Sequence, residues 1–215
     1  VYSYFNENGV EDVYVERESI KAGEKWPHGK IITQGQSLED FVFVIPQECV
    51  NTMLDKSVRK DNYKDLELFI IHAGQKSIDN AAKQIAANGD YDILDNIIYM
   101  TGTKVTGEIA ELLVEKGEYN ALQDIICFIG SQDKKKVADL LYNKGAYDAF
   151  SDIAPALEGT IIDEYAKKFA EKGKYGVVSD IAVFVSGDVM EEIDKQAKEN
   201  GKTSGLQYNE ISDFF

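Results

Sequence analysis

Residues 117–144 read GEYNALQDIICFIGSQDKKKVADLLYNK and residues 145–172 read GAYDAFSDIAPALEGTIIDEYAKKFAEK. Set one above the other, they share glycine at the first position, tyrosine at the third and isoleucine at the ninth, with no insertion. The glycine column extends to Gly89, Gly117, Gly145, Gly173 and Gly201, each 28 residues from the next. A tyrosine column, Tyr63, Tyr91, Tyr119, Tyr147 and Tyr175, keeps the same period, as do Ile97, Ile125, Ile153 and Ile181, with Phe69 in the earlier unit. Gly74, Gly102 and Gly130 form a third column and Ala82, Ala110, Ala138 and Ala166 a fourth. A fixed period of this length is the mark of a repeat architecture.

Within one unit, Tyr119, Leu122, Ile125, Ile126 and Ile129 recur at three- and four-residue spacing, as do Val137, Leu140 and Leu141. Each unit therefore reads as two amphipathic helices. Glu115-Lys116-Gly117, Asn143-Lys144-Gly145 and Glu171-Lys172-Gly173 place a cation in a last turn and glycine just beyond it, where a left-handed cap belongs. Thr103, Ser131 and Asp133 follow the inter-helix glycines and are expected to cap the next helix locally. Pro155 is expected to shorten the first helix of its unit.

Leu38, Phe41, Val42, Val50 and Leu54 extend the register one unit backwards. The predicted fold is thus mainly α: a helical-hairpin solenoid of six units at 33–60, 61–88, 89–116, 117–144, 145–172 and 173–200, with helices of about 10 to 12 residues. Residues 201–215, with Leu206, Tyr208, Ile211, Phe214 and Phe215, form the expected C-terminal cap. Residues 1–32 follow other rules. Tyr2, Tyr4, Val10, Val13 and Val15 flank Asn8-Gly9, which predicts a short β-hairpin. The loop after it carries Trp26, the single tryptophan, read either as a contact tip or as packing over the first helical hairpin.

The chain has 215 residues, Lys+Arg 23 against Asp+Glu 38, and a net charge of -15. Such a surface repels phosphate backbones and anionic membranes and favours cationic partners, so nucleic acid is not an expected ligand. No apolar run approaches the roughly 20 residues of a membrane helix, so no membrane insertion is expected. The opening Val1-Tyr2-Ser3-Tyr4 lacks an initiator methionine, from which a trimmed start or a longer parent protein is expected.

The hairpin units resemble the broad superfamily of antiparallel helical-hairpin repeats typified by HEAT and tetratricopeptide proteins, over about three quarters of the chain. The period of 28 is shorter than theirs, and the tetratricopeptide tryptophan and proline positions are absent. The resemblance implies partner binding on a curved surface. Right-handedness of the solenoid is likewise taken from the resemblance.

The first candidate site is a polar column one residue before the isoleucines: Asn96, Asp124, Asp152 and Asp180. Stacked at about 8 to 10 Å per helix, these residues would align for a basic partner; the alternative is a solvated face serving solubility. The tyrosine column reads as structural. His72 shares a column with Met100, Phe128, Ala156 and Phe184, read as an inter-repeat contact. Neither His28 nor His72 has metal-ligand spacing around it, and Asp90, Asp92 and Asp95 lack the glycine and glutamate of a calcium loop, so no metal and no cofactor is expected. Gly102 to Gly107 matches the start of a phosphate loop, but Glu108 stands where lysine is required. Cys49 and Cys127, too far apart in the register for a disulfide, are expected to be buried thiols.

Together these features predict a non-enzymatic protein-binding or scaffold module with an acidic surface. Three alternatives stay open: an inhibitor or immunity-like protein masking a basic partner, a structural domain of a larger surface or membrane-anchored protein, and an enzyme with a site near the N-terminal segment using His28, His72 or carboxylates.

Overall fold

The computed structural model describes residues 47–63 and 65–199. The expected β-hairpin, Trp26, most of the unit 33–60 and the C-terminal cap lie outside the described residues. Eleven α-helices follow one another among those described, and no strand occurs there. They are α1 Gln47–Arg59, α2 Leu66–His72, α3 Gln75–Asn88, α4 Tyr91–Ile97, α5 Thr103–Lys116, α6 Tyr119–Ile125, α7 Ser131–Lys144, α8 Tyr147–Ile153, α9 Gly159–Glu171, α10 Tyr175–Ile181 and α11 Gly187–Glu199. Short and long helices alternate. The short ones have seven residues where helices of about 10 to 12 were expected, and α4, α6, α8 and α10 each end in a three-residue 3-10 turn. Pro155 does not shorten α8, which matches its counterparts in length. Proline sits at the start of the 3-10 turn, where its missing N–H removes no bond from the preceding helix.

The left-handed caps stand where the glycine column predicted them. Gly89, Gly117, Gly145 and Gly173 have φ of 92°, 81°, 74° and 70°. Just beyond each, the next amide donates back five residues: Asp90 to Ile85, Glu118 to Leu113, Ala146 to Leu141 and Lys174 to Phe169. This bond is half of a Schellman cap. Its acceptors Ile85, Leu113, Leu141 and Phe169 are all fully buried, so one residue both closes the helix and fills the core. Asp61 occupies the same column after α1 with φ 52°, and Asn62 donates to Ser57 in the same way. Asn88 donates to the Asp61 carboxylate, which ties this non-glycine cap in place.

Capping of the long helices differs from the expectation. No side-chain cap bond forms at Gly74 or Gly130. Instead a side chain from the preceding long helix accepts the amide that opens the next one: Gly74 donates to Asn51 Oδ1 at 2.7 Å, Gly102 to Asp79 Oδ1 at 2.8 Å and Ser186 to Asp163 Oδ1 at 2.8 Å. Each bond spans 23 residues. The column is broken at Gly107, where a Cβ would lie 2.5 Å from Asp133 Oδ2, and at Lys135, which pairs with Glu164 instead.

The chain divides into two compact units, residues 1–105 and 106–215. In the first, α1 packs on α2 and α3, α3 on α4, and α2 on α4. In the second, α7 packs on α8, α9 on α10 and α11, and the short helices α6, α8 and α10 follow one another in contact. Within each unit, then, short helices lie on short helices and long on long. The alanine column Ala82, Ala110, Ala138 and Ala166 is completely buried, its small side chains allowing close approach of the helices.

Two substitutions test the backbone argument. Gly117→Ala forces a side chain into the left-handed region and should cost about 1 kcal/mol in urea unfolding. Gly176→Ala, inside α10 with open space around it, should instead stabilise by about 0.5 kcal/mol. Asp79→Ala should cost about 1 kcal/mol by stripping the acceptor from the Gly102 amide.

Candidate functional site

The five short helices with their 3-10 turns contain no lysine or arginine. The charged groups on each of these helices are therefore acidic, His72 apart. In the second unit, Asp124, Asp152 and Asp180 are exposed at equivalent places on α6, α8 and α10 and join no ion pair among the described residues. Asn96 is exposed at the corresponding place on α4 in the first unit, where its Nδ2 donates to Asp92 O at 3.0 Å. The geometry thus brings the three aspartates into one row on successive packed helices, while Asn96 belongs to the other unit.

A second row lies three residues further on, which on a helical surface is the neighbouring position. It consists of Cys127, Pro155 and Val183, all exposed, with Phe128 and Phe184 beside them. Val183 is 75% exposed. In the first unit the same place is held by Ile71 at 61% and Tyr99 at 63%. This apolar row is the feature that sequence reasoning missed. Phe128 and Phe184 were expected in an inter-repeat contact and are exposed instead, and Cys127, expected to be buried, is exposed as well. The place two residues past the buried Phe69, Ile97, Ile125, Ile153 and Ile181 lies about 200° round a helix from them, and it is exposed even in α2, which has no 3-10 turn. Cys49 is half-buried in α1, its thiol pushed up chiefly by burial, and both cysteines are free. His72, half-buried at the end of α2, stands in the same column as Phe128.

The long helices of the second unit handle charge differently. Lys135 pairs with Glu164, Lys167 with Glu192 at 2.5 Å, Lys136 with Glu111 and Asp133, and Lys168 with Glu164 and Asp139. The two lysines on Glu164 hold its carboxyl below the usual carboxylate range. Beneath them Tyr142, Tyr147, Phe150, Tyr165 and Phe169 form an aromatic cluster with ring centroids 5.1 to 6.4 Å apart. Lys168 sits 4.2 Å over Tyr165 and Lys172 3.9 Å over Tyr142. Tyr165 is fully buried and donates to the Asp139 carboxylate; burial first, then that bond, push its phenol up.

One polar insertion breaks the core of this unit. Ile162 and Met190 are buried at positions whose counterparts are Thr106 and Lys134. Thr106 is the buried polar residue among those described, and Lys134 Nζ donates to Ala156 O at 2.7 Å and lies 3.9 Å from Glu158 Oε1. Glu158 stands where Gly74, Gly102 and Gly130 stand in other hairpins.

Among the described residues no group of three or more His, Cys, Asp or Glu side chains is arranged to hold a metal ion, and no helix is long and apolar enough to cross a membrane. Comparison of the chain with protein-family models, with curated proteins and with solved structures returns no match. The helical hairpins are compatible with a helical-repeat fold; the HEAT or tetratricopeptide resemblance gains no family match.

Tyrosines open four short helices, as the column predicted, and Tyr63 precedes α2. Tyr63 donates to Asp90 at 2.5 Å, and burial together with this bond pushes its phenol up to about 12. An unfolded tyrosine titrates near 10. The folded state holds the proton more tightly, so this contribution is complete below pH 10 and is lost as pH rises through about 12. In an absorbance titration, Tyr63→Phe should remove a phenolate component near pH 12.

Proposed function

We propose that this chain is a non-enzymatic protein-binding or scaffold module, a solenoid of about six 28-residue helical hairpins that engages a cationic protein partner through its short-helix edge. The observation that carries the reading is the segregation of charge. Lysines of the second unit sit on the long helices and in turns, where many are paired with carboxylates, whereas Asp124, Asp152 and Asp180 face solvent with no counter-ion among the described residues. A fold that needed these aspartates for its own stability would have paired or capped them, as it does Asp79 and Asp163. Three like charges on successive helices repel one another, and a basic partner relieves that repulsion while gaining steered association.

The test is retention of partner proteins on the immobilised chain, wild type against Asp124→Lys/Asp152→Lys/Asp180→Lys. The expected outcome is a basic protein held by the wild type, released as salt rises and the Debye length falls below about 10 Å, and not held by the triple variant. Equal retention by both proteins would remove the aspartate row from the function.

A further inference from the structure

The apolar row beside the aspartates calls for an occupant of its own. Cys127, Phe128, Pro155, Val183 and Phe184 leave hydrocarbon in water on three successive hairpins of one unit, at the same position of each turn. Repetition separates this row from the isolated exposed apolar residues that any surface carries. The 3-10 turns are built so that Ile126 and Ala154 go into the core while the next residue points out. Burial in the fold is thus not what the outer residues serve.

Charge complementarity identifies what covers the row. Each apolar rung lies one helical step from an unpaired aspartate, and the helices that carry it have no cation. An acidic or neutral apolar segment would bury its flank against carboxylates without compensation. A segment that alternates apolar groups with lysine or arginine satisfies both rows. We infer that the second unit binds a basic amphipathic segment of a partner protein, with the partner's apolar side chains on Cys127–Phe128, Pro155 and Val183–Phe184 and its cations on Asp124, Asp152 and Asp180. This rests on the proposed binding role and narrows it to one kind of ligand.

The rung spacing limits the ligand further. Packed helices repeat at about 8 to 10 Å. A β-strand returns a side chain to one side every 6.6 Å or so, and then near 13 Å, missing the rungs. A helix with an apolar residue at every seventh position returns at about 10.5 Å. A polyproline-type segment with one at every third position returns at about 9.3 Å.

The experiment uses the full chain and two fluorescent lysine–leucine peptides, one with leucine on the seven-residue seam and one with leucine at every third position among prolines, each beside a scrambled peptide of the same composition. Fluorescence anisotropy should show at least one ordered peptide binding about tenfold or more tightly than its scramble, the margin expected from burying a few apolar side chains. Phe128→Ser/Val183→Ser/Phe184→Ser should erase that margin while keeping the far-UV circular dichroism of the wild type; Val183→Ser alone, at the most exposed site, should reduce it should the triple variant unfold. Equal binding of ordered and scrambled peptides, or a margin that survives in a folded serine variant, overturns the inference. If binding in that case is still lost on changing the three aspartates to lysine, the acidic-face reading stands without the apolar row; if no peptide binds the wild type at all, both fall.

Discussion

A left-handed glycine after α3, α5, α7 and α9 sets the geometry on which the rest depends. With φ near 70° to 90°, it lets the following amide reach back to a buried carbonyl, so the chain leaves the helix at a fixed angle. The acceptor residue is itself a core residue, and hence the exit direction and the packing of that layer are coupled. Two residues later a tyrosine opens the next short helix, and every further position in the hairpin is counted from there. Asp61 shows that glycine is replaceable when a neighbour holds the substitute.

Neighbouring hairpins are then joined by polar bonds as well as by apolar burial. The acceptors Asn51, Asp79 and Asp163 close the amide end of the next long helix, and lysine–carboxylate pairs run between long helices in the second unit. Exposed pairs of this kind contribute little each. Their larger effect is to occupy cations of the long helices, while the short helices carry no lysine or arginine.

The positions of glycine, tyrosine and alanine made the helix starts, stops and close contacts legible, because each of those residues has a single strong physical reason to be where it is. The exposed apolar row was not legible. In Ile125-Ile126-Cys127-Phe128-Ile129 the apolar run is continuous, and nothing in it marks that Cys127 and Phe128 face outward while their neighbours are buried. Nor did the local sequence reveal that α3, α5 and α11 take an amide acceptor from the hairpin before, since a contact across 23 residues leaves no local trace. The aspartate row was visible as a column, and its lack of counter-ions became evident only once the lysines were placed on the other helices.

Lys134 and Glu158 give one hairpin an identity that the others lack. A chain of near-identical units can pair out of order during folding, since any long helix offers much the same apolar face. Lys134 takes a place that is valine, isoleucine, threonine or methionine elsewhere, and the carboxylate that faces it takes a place that is proline, glycine or serine elsewhere. Stacked against the hairpin that carries Ser186, Lys134 would lose the carboxylate that Glu158 offers it. The pair thus acts as an address that ties residues 117–144 to residues 145–172, and a chain edited to make its hairpins uniform would trade that address for a wider choice of misassembled states.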